Sequence, residues 1–144
     1  MADQDHYRKL ERMYASAPLN DYYRPKLTVG EGESEIVISV GPHLFHAAHA
    51  VHGSVYFKML DDAAFFAANS LVEDVFVLTV SFTVYLTRPV TEGEMRSRGR
   101  VVHRSRRLFV AESEVFNSRG RTVARGSGTF MRSTHALTPD IGYL

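Results

Sequence analysis

Two carboxylates, Asp61 and Asp62, stand side by side within residues 55–68, the most apolar stretch of the chain. An ionised acid in such surroundings costs several kcal/mol unless it is paired or put to use. Successive residues of a helix point about 100° apart, so only one of the two can face a given cleft. Lys58 lies three residues before Asp61 and four before Asp62. Either ion pair is a structural explanation, worth a few tenths of a kcal/mol at a surface. An acid left without that partner and turned to a cleft is suited to act as general base or nucleophile. By position alone both readings stand.

Four histidines, His43, His46, His49 and His52, recur at every third residue, and imidazole is a common zinc ligand. That spacing aligns side chains only in a 3₁₀ or polyproline path, whereas Gly41, Pro42 and Gly53 point to a strand running into a loop. The run holds no carboxylate and the chain has no cysteine, so no metal centre is expected. A cysteine nucleophile, thiolate ligands and disulfides are excluded on the same ground. Among the arginines, a turn near Ser105 would set Arg98 opposite Glu112 and Arg96 opposite Glu114 as cross-strand pairs. Arg104, Arg106 and Arg107 have no partner in that register. They suit phosphate groups, or form a solvated basic turn.

The elements that must position these groups follow from pattern. Residues 4–15 place Tyr7, Leu10, Met13 and Tyr14 at helical spacing, which predicts a short amphipathic helix lying on the body. Pro18 and Pro25 mark an irregular connection, and residues 35–40 alternate as a modest strand that stops at Gly41 and Pro42. Ser54 is the expected N-cap of a helix over 55–68, apolar around nearly its whole circumference and therefore wrapped by other structure. Residues 75–87 alternate as a long strand, with Thr79, Ser81 and Thr83 on one face, and end at Arg88 and Pro89. Strands over 95–104, 108–117 and 122–131 complete an antiparallel meander with a turn at 117–120. One curved antiparallel sheet around one central helix, an α+β architecture with a short N-terminal helix, satisfies this order.

At 144 residues the chain fits a single domain over 1–144, with a core at about 30–131, residues 1–29 as helix and connection, and 132–144 as a tail. A formal charge of +1 provides no broad field for capturing nucleic acid. Residues 1–14 lack the apolar core of an export signal, and the 55–68 stretch is shorter than the roughly 20 residues that span a bilayer. A cytoplasmic protein without nucleic-acid or membrane partners is expected.

His52, Gly53 and a helix carrying Asp61 nine positions after the histidine resemble the hotdog-fold acyl-coenzyme A thioesterases of the phenylacetyl-CoA type. Residues 79–82 and 86–90 are similar to that family's second strand and its proline-containing end. Residues 107–115, followed by Asn117, Gly120, Val123, Ala124, Gly126 and Gly128-Thr129-Phe130, are similar to its last two strands. The resemblance spans residues 30–131. It implies a hotdog fold, hydrolysis of a small-to-medium or aromatic acyl-CoA, and no cofactor, because coenzyme A arrives as part of the substrate. It further implies Asp61 as general base or nucleophile, the Gly53 N–H as oxyanion donor, and a Thr79 hydroxyl holding the attacking water.

Seven residues separate Ser54 from Asp61, roughly 10 Å along the helix axis, so one subunit cannot aim both groups at one carbonyl. The family pairs two subunits across this gap, which implies a homodimer or a dimer of dimers with its site at the subunit boundary. His46 stands where members often carry asparagine, Ser54 replaces a second glycine, and His49 replaces a small residue. His46 would then donate a hydrogen bond or add a base, with His52 beside it. Ser54, Tyr56, Phe65, Arg88, Arg104, Arg106 and Arg107 are the expected substrate contacts. Competing readings are a hotdog dehydratase or hydratase using His52 and Asp61, and a non-catalytic acyl-CoA sensor.

Overall fold

The structure, a computed structural model, describes residues 3–144. Helix α1 (Gln4–Ser16) is capped by the Asp3 carboxylate, which accepts from the Asp5 and His6 N–H groups. It buries Tyr7, Leu10, Met13 and Tyr14 as the spacing predicts, and His6 besides. A short helix α2 (Asn20–Tyr23) follows and ends at Arg24, whose φ of 50° turns the chain into strand β1 (Lys26–Gly30). Neither α2 nor β1 is visible in the sequence pattern, because four or five residues among prolines are too few for a period to show. Strand β2 (Glu33–Ser39) pairs with β1 and begins two residues before its expected start.

Helix α3 (Gly53–Asn69) is the central helix and is buried along most of its length. It starts earlier than expected, because His52 and not Ser54 is the N-cap: His52 Nδ1 accepts from the Ser54 N–H at 3.0 Å. Strands β3 (Val75–Leu86), β4 (Glu94–Arg104), β5 (Leu108–Phe116) and β6 (Thr122–Ala136) complete one antiparallel sheet of order β1-β2-β4-β5-β6-β3. Strand β6 runs five residues past its expected end, so the tail is shorter than 132–144.

The sheet curls around α3 because its inner face is small where the helix presses closest. A Cβ at Gly99 would stand 2.3 Å from the Ala63 carbonyl oxygen. Ser34 and Ser113 donate to the Ala63 and Leu60 carbonyls at 2.6 and 2.8 Å, so strands on either side of β4 hydrogen-bond the helix backbone. The resulting hotdog fold keeps α3 against β2, β4 and β5, with β3 at one end of the sheet as an unpaired edge.

Two register expectations are corrected. Arg98 pairs with Glu114 and Arg100 with Glu112, while Arg96 lies opposite Phe116. The hairpin is centred between Arg106 and Arg107 rather than at Ser105, and a bulge between Val101 and His103 shifts the ladder again. Arg96 and Arg98 instead share Glu35 on β2, at 2.6 and 3.0 Å. On β3, a bulge between Thr79 and Ser81 places one extra residue against β6. Below the bulge Val77 and Thr79 point inward, whereas above it Phe82 and Val84 do, and Ser81 and Thr83 face out. Thr79 therefore does not share a face with the other two hydroxyls.

Candidate active site

The helix separates its two acids. Asp62 is paired: Lys58 Nζ lies 2.8 Å from Oδ2 and the Tyr14 hydroxyl donates to the same oxygen at 2.6 Å. Lys58 is further held over the rings of Tyr14 and Tyr23, at 5.2 and 5.0 Å from their centroids. Asp61 has no cationic partner among the described residues. Its Oδ1 accepts one hydrogen bond, from the Thr79 hydroxyl at 2.8 Å. Burial lifts its carboxyl from the ordinary 3.8 to about 6; the Thr79 bond opposes the rise, Asp62 adds to it and Lys58 reduces it. A carboxylate that titrates near neutrality and keeps one oxygen free is equipped to take a proton from water.

Asp61 and Thr79 open into a cleft of about 1200 Å³, whose apolar wall includes Phe65, Phe66, Phe76 and Leu78. Of the expected substrate contacts, the cleft thus holds Phe65. Tyr56 is buried elsewhere, with its hydroxyl donating to the Arg88 carbonyl at 2.8 Å, and Arg88 itself is exposed. Lys58, Asp62, Tyr14, Ser133 and His135 line the cleft and were not singled out as site residues. Of these, Tyr14, Lys58 and Asp62 leave a trace in the sequence, as an apolar-face residue, a candidate ion-pair partner and the second of the adjacent acids.

The start of α3 forms a second group. Ser54 is occupied with His52, whose ring lies 6.5 Å from that of His46. His46 Nδ1 accepts from the Ala48 N–H, and His49 has a φ of 65° in the loop between them. The Gly53 N–H meets no acceptor among the described residues. It is an orphan donor at the positive end of the helix dipole. A Cβ at Gly53 would stand 3.1 Å from Leu86 Cδ1, so the helix start sits against the far end of β3. Asp61 contacts the near end, at Thr79. Eight residues of helix, roughly 12 Å, lie between Gly53 and Asp61 within one chain.

Arg104, Arg106 and Arg107 form a third group, which Arg132 joins around a surface recess of about 590 Å³. Arg132 also bonds the Arg106 carbonyl and Asp74. Thr79, Phe130, Phe109 and Arg104 are successive partners across the sheet. Three interstrand spacings, roughly 14 Å, thus separate the basic turn from the row of Asp61's partner. The histidine run does not converge: His43 meets the Tyr22 ring edge to face, and no three metal-binding side chains come together among the described residues.

The family model of the thioesterase superfamily matches residues 48–124, from the loop before α3 to the start of β6. The chain belongs to the thioesterase superfamily. This thioester hydrolase superposes on the E. coli PaaI protein from the phenylacetic acid degradation operon with a TM-score of 0.86 at 20% identity, covering 96% of this chain and 100% of that one. A thioesterase family protein from Silicibacter pomeroyi is 27% identical, with a TM-score of 0.81 and coverage of 88% and 96%. A conserved protein from Pseudomonas aeruginosa is also 27% identical, with a TM-score of 0.79 and coverage of 85% and 98%. No curated protein matches the thioesterase in sequence. Among the described residues, no helix of the thioesterase is long and apolar enough to cross a membrane.

Proposed function

We propose that this thioesterase hydrolyses a small-to-medium or aromatic acyl-CoA at a site built from two subunits. The observation that carries the reading is the pairing of deficits. Asp61 is a partly buried acid without a counter-ion, and Gly53 carries a donor without an acceptor. Edge strand β3 supports a way of joining them. Leu78, Val80, Tyr85 and Leu86 are 52%, 57%, 64% and 48% exposed on a strand whose outer edge is unpaired. Such an edge invites a second strand. Antiparallel pairing of two copies of β3 about a two-fold near Phe82 and Thr83 brings the partner's Leu86 opposite Thr79. The partner's Gly53, which sits against that leucine, then comes over Asp61.

In this reaction the partner's Gly53 N–H polarises the thioester carbonyl and stabilises the developing oxyanion. Asp61, ionised and fixed by Thr79, takes a proton from water while the water oxygen attacks the carbonyl carbon. The C–S bond then breaks, and the proton passes to the departing thiolate. Phe65, Phe66 and Phe76 receive the acyl group, in keeping with the phenylacetic acid degradation context of the E. coli relative. His46 and His52 border the carbonyl end, and Arg104, Arg106 and Arg107 take the coenzyme A phosphates.

The test is a panel of acyl-CoAs with released thiol as readout, run on wild type and Asp61→Asn. Thiol release by wild type and its loss in the variant support the reading. Tight acyl-CoA binding without thiol release would turn it into the sensor, and turnover unchanged in Asp61→Asn would end Asp61's role.

A further inference from the structure

The cleft has a wall that no strand supplies. After β6 the chain turns through a 3₁₀ segment (Pro139–Ile141) and lies along α1. Tyr143 closes the contact: its hydroxyl is 2.7 Å from His6 Nδ1, while His6 Nε2 is 2.9 Å from the Asn69 carbonyl oxygen. A carbonyl can only accept, so Nε2 carries the hydrogen, Nδ1 accepts, and the tyrosine donates. His6 is buried and spends both nitrogens on this bridge. Lys9 lies over the Tyr143 ring at 5.3 Å, and Arg12 donates to the Leu144 carbonyl. Gly142, at φ 92°, is packed so closely on α1 that a Cβ would stand 2.2 Å from Ser16 Oγ.

A tail clasped at four points along one helix is a fixed structural element. Its inward side, Pro139–Gly142, lines the cleft that contains Asp61. Gly142 packs on Met13 and Ser16 of α1, and the neighbouring Tyr14 bonds Asp62, so the strap lies beside the turn of α3 that carries Asp61 and Asp62, while the Tyr143 side chain reaches back along α1 to the His6 bridge. Ile141 is half-buried against the core and lines the cleft.

We propose that the C-terminal strap, with Ile141 at its centre, is the stop that sets the longest acyl group the enzyme accepts, and that His6 and Tyr143 are positioning residues that hold the strap in place. The inference rests on the acyl-CoA reading of the Asp61 cleft. An acyl group that extends from the thioester into this cleft meets Phe65 on one wall and the strap on another. The length limit is thereby set by a segment outside the matched family region, which ends at residue 124.

The experiment measures kcat/KM for a series of straight-chain acyl-CoAs of increasing length on wild type, Ile141→Ala, Ile141→Trp and Tyr143→Phe. Ile141→Ala is expected to move the ratio of long-chain to short-chain kcat/KM upward by about tenfold or more, the usual effect of a few methylenes in an apolar pocket. Ile141→Trp is expected to move it downward, a direction that loss of folding cannot produce. Tyr143→Phe, which removes only the clasp hydroxyl, is expected to shift the ratio upward by a smaller factor, through KM for the long chains rather than through kcat. An active wild type whose length profile is the same in both Ile141 variants overturns the strap alone. A wild type that releases thiol from no acyl-CoA overturns the thioesterase reading of the cleft, and the strap's role with it.

Discussion

Asp61 and Asp62 differ by one position and about 100° of helix, and the surroundings treat them oppositely. Asp62 faces α1 and receives a lysine and a tyrosine, each at hydrogen-bonding distance from one oxygen. Asp61 faces the sheet edge and receives only a threonine. The paired acid is structural: it fixes Lys58 and joins the N-terminal helix to the core. Its neighbour is left short of partners, and burial lifts its carboxyl to about 6 with only the Thr79 bond and the more distant Lys58 to oppose the rise. One shell of contacts separates an anchor from a base, since partners that stabilise an ionised acid also weaken it as a proton acceptor.

The comparison breaks most visibly at Asp61 itself. Asp61→Asn should lower kcat by about 10²–10⁴-fold, the usual worth of a positioned general base. Its unfolding temperature should not fall. The carboxyl's folded value lies above its ordinary 3.8, so it adds stability only while protonated, and that share is lost as pH rises toward and through about 6. Thermal melts across that window should therefore show Asp61→Asn gaining on wild type as pH increases. A melting temperature that falls at pH 7 would mean the acid is a structural partner.

Asp62→Asn should do the reverse. It strips the strong acceptor from Lys58 and Tyr14 and should cost about 1–3 kcal/mol in chemical denaturation, with thiol release reduced far less than in Asp61→Asn. Because the Asp62 charge raises Asp61, the acidic limb of the rate profile should also move to lower pH. A limb that moves upward would contradict the assignment. Thr79→Val has the opposite sign: it removes the hydrogen bond that favours ionised Asp61, so the limb near pH 6 should move upward, with a rate loss of several-fold at pH 7. The smallest effect belongs to the basic turn. Replacing Arg106 and Arg107 by alanine should raise KM a few-fold in a salt-sensitive manner while leaving the pH limb in place, because those charges lie far from both acids.

Much of this arrangement is legible in the sequence because it rests on long periods. The apolar circumference of residues 55–68 and the alternation after Val75 are strong enough to give the wrapped helix and the meander, and the order of short motifs from His52 to Phe130 points to the family. What the pattern misses is local or distant. A single bulge after Thr79 reverses which hydroxyls face inward, and no alternation rule reveals it, since the residues on both sides remain apolar and polar in turn. The capping role of His52 is hidden because Ser54 is the better cap by type. The Arg96 and Arg98 partners change because a bulge in β4 and an earlier strand, β2, intervene. The choice of Lys58 between two acids depends on Tyr14, which lies 48 residues from Asp62 in sequence, and the strap wall depends on contacts between the two ends of the chain. Such pairings leave no periodic trace.

The account's central claim is that Asp61 works with the Gly53 N–H of a partner subunit, and complementation tests it most directly. Asp61→Asn and Gly53→Pro each remove one half of the site, and proline is tolerated at a first helical position while it deletes the donor. Each protein is assayed alone and after co-expression as mixed dimers. In a mixed dimer one site keeps both groups and the other loses both, so random assortment should restore about a quarter of wild-type turnover from two inactive parents. A mixture no more active than either parent, with mixed dimers demonstrated by tagged pull-down, would contradict the claim.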